Sequence, residues 1–239
     1  MEPDRERLHD RPTAEAGESP RHGFQGDRRP PPAPPGIPAG LTVAISREAG
    51  ARGGTIGRRV ARKLGWQVFD QELLEYIAQE GVFRQEFTEN LSPMALHWAE
   101  ERLQELLRGG QLSQHPSLIN LARVVLALGA QGRIVVIGRG AGCLLPPAST
   151  LHVRIVAPLE DRIAYLAQWE RLTVEEAAER VRLRDQRRAE FITTHFHRQP
   201  TDPYQYDLLM NSSLLGEELC AELIAQSARA KEAAPAKAG

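Results

Sequence analysis

The stretch that decides the fold is residues 41–65, LTVAISREAGARGGTIGRRVARKLG. It begins with a short apolar run rich in β-branched residues, 41–46, which predicts a buried strand. A glycine-rich turn follows, and apolar residues, Ile56 and Val60 among them, then recur at helical spacing until Gly65, a common helix stop. The stretch therefore predicts a strand, a glycine loop and a helix in direct succession.

The glycine loop has the composition of a phosphate-binding turn. Successive backbone N–H groups in such a turn form a concavity for anions, and the N-terminus of the next helix adds partial positive charge. In the common pattern G-x-x-x-x-G-K-[ST], the Lys reaches the outer phosphates and the hydroxyl holds Mg²⁺. Aligned with this pattern, Thr55 takes the metal-binding position, whereas Gly54 replaces the Lys and Glu48 replaces the first Gly. Taken alone, the loop is explained about as well by an ordinary structural turn.

The rest of the chain alternates between apolar runs and amphipathic segments. Further strands are predicted at 67–69, 133–137, 151–156 and 206–210, and helices at 71–80, 92–108 and 116–130, from Pro158, from Thr173 and from Ser213 or Gly216. Thr173 with Glu176 forms a capping-box pattern. Strands separated by helices imply right-handed crossovers and a parallel sheet. We therefore expect an α/β fold.

Composition argues against several classes of protein. The formal net charge is -1, so no global basic field points to nucleic acid. Cys143 and Cys220 lie far apart, without neighbours at metal-binding spacing, and are expected to be buried small hydrophobes. The sequence contains no apolar run long enough to predict a membrane span. No apolar stretch precedes Leu41, so a secretory signal is not expected, and the expected location is the cytoplasm.

Residues 1–40 differ in composition from the rest of the chain. They are rich in Pro, Arg, Asp, Glu and Gly and include the run RPPPAPPG at 29–36. Such a segment buries too little apolar surface to offset its conformational entropy, so we expect a disordered Pro/Arg-rich tail. A tail of this kind can dock an unknown protein, although a solvated extension is the simpler interpretation. The folded domain is expected over 41–228, with a frayed C-terminal tail at 229–239.

Several short blocks, in a fixed order, resemble the cytidylate kinase-like family of P-loop proteins. The opening blocks are ISREAG at 45–50 and FDQELL at 69–74. Later blocks are IGRGAG at 137–142, VAPLEDR at 156–162 and DPYQYDLLMNS at 202–212. Each block is weak by itself, and it is their order along the chain that carries the resemblance.

The resemblance implies a P-loop nucleoside-monophosphate-kinase fold, with three layers around a parallel five-stranded sheet and helical monophosphate-binding and lid segments. The implied activity is transfer of the γ-phosphoryl group of ATP to a nucleoside monophosphate, most simply CMP or dCMP, with Mg²⁺. The phosphate-binding loop would comprise Gly50, Ala51, Arg52, Gly53, Gly54 and Thr55, with Mg²⁺ at the Thr55 hydroxyl. Family members often carry Arg where this chain has Gly54. In this chain Arg52 or Arg58 would have to supply the positive charge that is missing at position 54.

Arginine is suited to phosphoryl transfer, because its planar guanidinium binds phosphate oxygens in pairs and stays charged. The resemblance implies that Arg139, in the second glycine turn, contacts the acceptor monophosphate. It also implies catalytic roles for Arg184 and Arg188 in the lid, together with Arg52 on the loop. Asp185 would orient one of these arginines or approach the acceptor. The alternative is a solvated helix with internal ion pairs.

Asp70 follows a short predicted strand and has two interpretations. As a helix cap it would accept a hydrogen bond from a free N–H of the following turn. By the family resemblance it would lie beside the acceptor nucleotide. The two roles are compatible.

Three functions remain open from the sequence. The first is an active nucleoside monophosphate kinase, and the second is a nucleotide-binding sensor or regulator without turnover, which the glycine at position 54 favours. The third, a dinucleotide-binding oxidoreductase, is disfavoured because the loop lacks G-x-G-x-x-G. The sequence also shows no general base, so a kinase of this type would work by alignment and electrostatics.

Overall fold

The structure is a computed structural model that describes residues 38–79 and 91–234. Five strands form one sheet: β1 Thr42–Arg47, β2 Gln67–Phe69, β3 Ile134–Ile137, β4 Thr150–Val156 and β5 Leu208–Asn211. Their order is β2-β3-β1-β4-β5, and every neighbouring pair is parallel. The parallel five-stranded sheet predicted from the sequence is confirmed.

Eight α-helices in the described ranges connect and cover these strands. They are α1 Gly53–Leu64, α2 Gln71–Ile77, α3 Pro93–Arg108, α4 Pro116–Gln131, α5 Ala141–Leu144, α6 Leu159–Glu170, α7 Val174–Phe196 and α8 Ser212–Ala233. Short 3₁₀ turns lie at Pro147–Ser149 and Pro203–Gln205. The capping box that starts α7 is present, with Thr173 and the N3 residue Glu176 each bonded to the other's backbone.

The central strand β1 separates two hydrophobic cores. Val43 and Ile45 pack on the side of α1 and α8, whereas Ala44 faces the side covered by α3 and α4. Alternate side chains of a strand point to opposite faces of its sheet, so one apolar strand contributes to both cores. The result is the predicted three-layer arrangement.

Strand β1 is therefore at the centre of the sheet, and its carboxyl end lies between those of β3 and β4. Ile45 pairs with Ile137 of β3 and with Val153 of β4. Ligands of open α/β sheets bind outside the carboxyl ends of the strands, where the order of connections changes direction. The turns that follow β1, β3 and β4 all reach this edge.

The last strand and helix differ from the expected boundaries. Strand β5 begins at Leu208 rather than 206, because the Tyr206 N–H still bonds to Pro203 of the preceding turn and Asp207 lies in a bend. Helix α8 starts at Ser212, capped by the Asn211 side chain, and is kinked at Gly216, where φ is 73°. It runs to Ala233, into residues 229–239, for which a frayed tail is expected.

Some expectations fall on residues that the structure does not describe. Almost all of the predicted N-terminal tail lies outside the described residues, as does its docking to another protein. Among the helices of 38–79 and 91–234, none has the length and apolar character needed to span a membrane.

Candidate active site

The glycine loop after β1 leaves backbone donors free at the start of α1. Gly50 has φ 78° and Arg52 has φ 60°, both left-handed, and this turns the chain sharply into the helix. Within the described chain, the backbone N–H groups of Gly53, Gly54 and Thr55 donate to no carbonyl or side chain. The first turn of a helix always has such unpaired donors. An anion bound at the loop would pair with these free donors.

The two glycines at the start of α1 have different steric environments. A Cβ at Gly53 would lie 2.6 Å from Cβ of Arg47, so position 53 has no room for a side chain. A Cβ at Gly54 would lie 3.7 Å from Nη2 of Arg58, which is ordinary contact. Nothing in the backbone requires glycine at position 54.

Side chains from three other elements hold the loop in place. Asp185 on α7 accepts a hydrogen bond from the backbone N–H of Ala49 at 2.7 Å. The buried Arg162 on α6 donates to the Ala49 carbonyl at 3.2 Å and to the Asp185 carboxylate at 2.5 Å. Ser212, at the start of α8, donates to the Ala51 carbonyl at 2.9 Å. The loop conformation is therefore fixed by tertiary contacts as well as by its glycines.

Glu48 has a structural function that explains its presence where the usual pattern has glycine. Its carboxylate accepts a hydrogen bond from the backbone N–H of Ala157 at 3.2 Å and lies 3.5 Å from Nε of Arg162. Arg154 is a more distant partner at 3.9 Å. Glu48 thus joins the loop to the end of β4.

A cavity of about 660 Å³ lies beside the loop, at the carboxyl edge of the sheet. Six arginines line it, together with a few polar and apolar groups: Arg47, Arg139, Arg154, Arg184, Arg187, Arg188, Ser46, Glu48, Gln71, Gly138, Gly140, Asp185, Ala189, Phe191, Ile192, Gln199, Pro200 and Thr201. Its two carboxylates, Glu48 and Asp185, already bind the loop and Arg162. The cavity therefore carries an excess of positive charge in a protein whose net charge is -1.

Arg188 and Arg139 lie close enough to Arg47 to disfavour its charged form. Burial, and then the charges of Arg188 and Arg139, lower the pKa of Arg47 to about 9. Burial is also the main cause that lowers the pKa of Arg188 and of Arg139. Arg47 forms no ion pair with a carboxylate in the described part of the chain, although the nearby charge of Asp70 partly offsets the repulsion. An anion in the cavity would relieve this repulsion.

Arg139 lies in the predicted place, in the turn after β3. Its φ is 54°, and its guanidinium contacts the Glu75 carboxylate and lies 5.2 Å from the centre of the Phe191 ring. Its Nε is buried without a hydrogen-bond partner in the described ranges. A buried donor without a partner costs free energy unless a ligand or water pairs with it.

The lid residues predicted from the sequence lie at this cavity too, on α7. Arg188 donates to the backbone carbonyl of Arg47 at 3.4 Å, while Arg184 is bound to Glu170 of α6 at 2.7 Å. Asp185 accepts a hydrogen bond from the loop at Ala49, as described above. The structure therefore brings these three residues to one wall of the cavity.

The other two predicted residues have their partners elsewhere. Asp70 caps α2 by accepting from the backbone N–H of Leu73 at 3.1 Å, which agrees with its interpretation as a helix cap. Arg52 turns away from the cavity, because its guanidinium lies 4.8 Å from the centre of the Tyr165 ring and 4.0 Å from the Glu217 carboxylate. Of the two cations considered for the missing Lys, Arg52 is thus engaged by α6 and α8.

Sequence reasoning missed three arginines of the cavity, Arg47, Arg154 and Arg187. Arg47 ends β1 and Arg154 lies within the apolar strand β4. A charged residue inside a buried strand is unusual, and this could have marked Arg154 as a candidate for the site. Arg187 stood inside the charged helix and had no distinguishing pattern.

A second cavity of about 490 Å³ adjoins the first and shares Arg139 and Phe191 with it. Its other lining groups come from α2, α4, α7 and the residues next to α2 and α4: Glu75, Ala78, Gln79, His115, Ser117, Leu118, Asn120, Leu121 and His195. This cavity combines apolar surface with amide and imidazole groups. It is the kind of space that an uncharged, planar part of a ligand could fill.

The buried imidazole of His152 contacts Ser46, which lines the first cavity. Burial lowers the pKa of His152 to about 4, so the ring is neutral near pH 7. Nδ1 donates to the Gln205 carbonyl at 2.9 Å, which leaves Nε2 to accept from the Ser46 hydroxyl at 3.1 Å. Asp207 accepts from the backbone N–H of His152 at 2.7 Å.

The loop also fits a Mg²⁺ ion of the type that nucleotides bring with them. The Thr55 hydroxyl has no hydrogen-bond partner in the described chain and lies in the turn with the free N–H groups. Mg²⁺ at such sites takes one or two protein oxygens and completes its shell with phosphates and water. No cluster of three His, Cys, Asp or Glu side chains suited to a metal occurs in the described residues.

Comparison with known proteins gives a family match and a similar fold. The model of the cytidylate kinase-like family matches residues 42–214. A crystal structure of an uncharacterized protein from Eubacterium ventriosum is similar, with TM-score 0.56 and 14% identity over 80% of this chain and 98% of that one. At this identity the likeness shows a shared fold.

Two shikimate kinases give lower structural scores. The enzyme from Acinetobacter baumannii, solved with shikimate, has TM-score 0.45 and 14% identity over 82% of this chain and 96% of that one. The enzyme from Bacteroides thetaiotaomicron has TM-score 0.43 and 15% identity over 78% and 95%. Scores of this size indicate no closer relationship. No protein of curated function matches the chain in sequence.

Proposed function

We propose that this chain, which belongs to the cytidylate kinase-like family, transfers the γ-phosphoryl group of ATP to a nucleoside monophosphate. The observation that carries the proposal is the arginine cavity beside the glycine loop. Its six arginines greatly outnumber its two carboxylates, and both of these are already bound to other groups. Such a cavity favours an anion with several oxygens, as a phosphate has.

The donor would bind at the glycine loop. The free N–H groups of Gly53, Gly54 and Thr55 would bind its outer phosphates, and the partial positive charge at the N-terminus of α1 would add to the attraction. The Thr55 hydroxyl would hold Mg²⁺, which would supply positive charge to neutralise the phosphate oxygens. ATP and Mg²⁺ are the cofactors that this loop supports.

The acceptor would lie across the two adjoining cavities. Its phosphate would contact Arg47, Arg139 and Arg188, and its base would enter the second cavity past Phe191. A base of pyrimidine size, as in CMP or dCMP, is our first choice, on the strength of the family resemblance. The His115, Asn120 and Gln79 side chains are the polar groups available there to distinguish bases.

The chemistry follows from position and charge. With donor and acceptor held at the same edge of the sheet, the transferred phosphoryl group passes between arginines whose charges neutralise its oxygens. Arg184 and Arg188 project from α7, so movement of this helix would bring them to both phosphates. The cavity holds no carboxylate free of other partners, so no general base is assigned.

A coupled assay of ADP release with Mg-ATP and a panel of monophosphates tests the proposal. We expect turnover with at least one pyrimidine monophosphate, and loss of at least a hundredfold in kcat/KM in Arg139→Ala and Thr55→Ala. Arg182→Ala, which breaks an exposed ion pair with Glu179 on α7, is the control and should retain activity. Turnover with no monophosphate in the panel would contradict the proposal.

A nucleotide-binding sensor or regulator without turnover is the second candidate. The observation that favours it is the glycine at position 54, since the usual loop places a Lys there to reach the outer phosphates. The same assay separates the two functions. Tight binding of ATP without ADP release in the presence of any monophosphate would support the sensor.

A further inference from the structure

The position of Arg58 relates directly to the missing side chain at position 54. Its guanidinium lies so close to Gly54 that a Cβ placed there would meet Nη2 at 3.7 Å and Nη1 at 3.9 Å. The two residues are one helical turn apart on α1, and helical side chains lean toward the N-terminus of their helix. The guanidinium therefore lies beside the glycine loop, next to Gly54.

Arg58 also differs from its neighbours in having no partner within the part of the chain that the structure describes. The guanidinium of Arg59 binds Glu217 at 3.3 Å and Glu218 at 2.7 Å, and Arg52 is held by Tyr165 and Glu217. Arg58 is exposed and forms no hydrogen bond or ion pair with any residue of 38–79 or 91–234. It is thus free to bind a ligand.

The charge of Arg58 is placed unfavourably in the protein alone. The N-terminus of a helix carries partial positive charge, so a cation close to it is destabilising. The first turn of α1 contains no acidic residue to compensate, and its N–H groups at 53–55 have no partner among the described residues. A polyphosphate at the loop would satisfy both the amides and the guanidinium.

We infer that Arg58 supplies, from one helical turn later, the cation that the usual loop supplies from position 54. The inference rests on the proposed function, because it assigns the guanidinium to the outer phosphates of the donor nucleotide. It also makes the glycine at position 54 compatible with donor binding. Arg52 then has a structural role, through its contacts with Tyr165 and Glu217.

The test measures binding of ATP and of AMP to the full chain by titration calorimetry. We expect Arg58→Met to weaken ATP binding by about tenfold to a hundredfold, the range for a lost charge-assisted hydrogen bond. Binding of AMP, which has no outer phosphates, should change by less than threefold. Arg59→Met is the matched control, one residue further on, and should leave ATP binding unchanged.

A rescue variant and a stability measurement complete the design. Adding Gly54→Lys to Arg58→Met should restore at least tenfold of the lost affinity for ATP, because position 54 has room for a side chain. Thermal unfolding without nucleotide should occur at the same or a slightly higher temperature for Arg58→Met than for wild type, since Arg58 has no partner among the described residues and its charge lies near the positive end of α1. A lower unfolding temperature, or the absence of rescue, would contradict the inference.

The outcome for the wild-type chain separates this inference from the proposed function. If wild type binds ATP and Arg58→Met binds it equally well, the inference fails while the proposed function stands. If wild type binds no ATP in the presence of Mg²⁺, the proposed function fails and the inference fails with it. Equal losses of ATP and AMP binding in Arg58→Met would show that Arg58 does not read the outer phosphates.

Discussion

The carboxylate of Asp185 accepts a hydrogen bond from the backbone N–H of Ala49, and the same carboxylate binds the buried Arg162. Asp185 lies on α7 and Ala49 in the glycine loop, so this contact joins the arginine-bearing helix to the phosphate-binding turn. The distances are 2.7 Å to the N–H and 2.5 Å to Nη1 of Arg162. Any displacement of α7 must therefore act on the loop.

Replacing Asp185 should destabilise the protein. Asp185→Ala leaves the Ala49 N–H and the buried Arg162 guanidinium without this carboxylate. Because Asp185 is itself partly exposed to water, we expect a loss of about 1–3 kcal/mol in the free energy of unfolding. Denaturant titration measures the change. Glu179→Ala, which removes an exposed ion pair on the same helix, is the control, and an equal loss in both variants would contradict the assignment.

The two glycines at the start of α1 should respond differently to the same substitution. Gly53→Ala places a methyl group 2.6 Å from Cβ of Arg47 and should lower the free energy of unfolding by about 1–3 kcal/mol. Gly54→Ala meets only the end of the flexible Arg58 side chain and should be neutral, or stabilising by up to about 1 kcal/mol. Chemical denaturation of the pair provides the comparison. A similar effect at both positions would show that this steric difference is not real.

Replacing Arg47 should raise the stability of the ligand-free protein and weaken its binding of a monophosphate. Burial and the charges of Arg188 and Arg139 disfavour its charged form, so Arg47→Met should raise the free energy of unfolding of the ligand-free protein by about 1 kcal/mol. The same variant should lose most of the stabilisation that wild type gains from a nucleoside monophosphate. Thermal unfolding with and without the monophosphate measures both effects. Arg182→Met, at an exposed position on α7, controls for loss of an arginine, and a less stable ligand-free Arg47→Met would contradict the prediction.

The buried His152 should make stability depend on pH between about 4 and 6.5. Its pKa falls from 6.5 in the unfolded chain to about 4 in the fold, so unfolding takes up a proton in this range. Stability due to the neutral ring is therefore complete above pH 6.5 and is lost as the pH falls toward 4, by up to about 3 kcal/mol.

The variant His152→Asn isolates this contribution, because it retains a donor for the Gln205 carbonyl and does not titrate. Denaturant titrations at several pH values should show the wild type losing stability faster than the variant as the pH falls below 6.5. His97→Asn, on the exposed face of α3, controls for removal of an imidazole at the surface. Parallel curves for wild type and His152→Asn would mean that the ring does not titrate in this way.

Much of the architecture was predictable because its signals are local. The β-branched run at 41–46, the left-handed turn that Gly50 begins, and the Thr173 capping box each depend on residues a few positions apart. The alternation of strands and helices then implied parallel pairing through right-handed crossovers. The kink at Gly216 and the start of α8 at Ser212 were less predictable, because Asn211, Ser213 and Gly216 all carry signals for a helix start.

The sequence by itself determined the strand, glycine loop and helix, and the family to which their order belongs. Only the tertiary structure decided that Arg47, Arg139, Arg154 and Arg188 share one cavity. They come from β1, the turn after β3, β4 and α7, and they meet because β1 lies between β3 and β4. The order of strands in a parallel sheet depends on packing between distant segments, which no local pattern encodes. The same packing turned Arg52 toward Tyr165 and left Arg58 beside the loop.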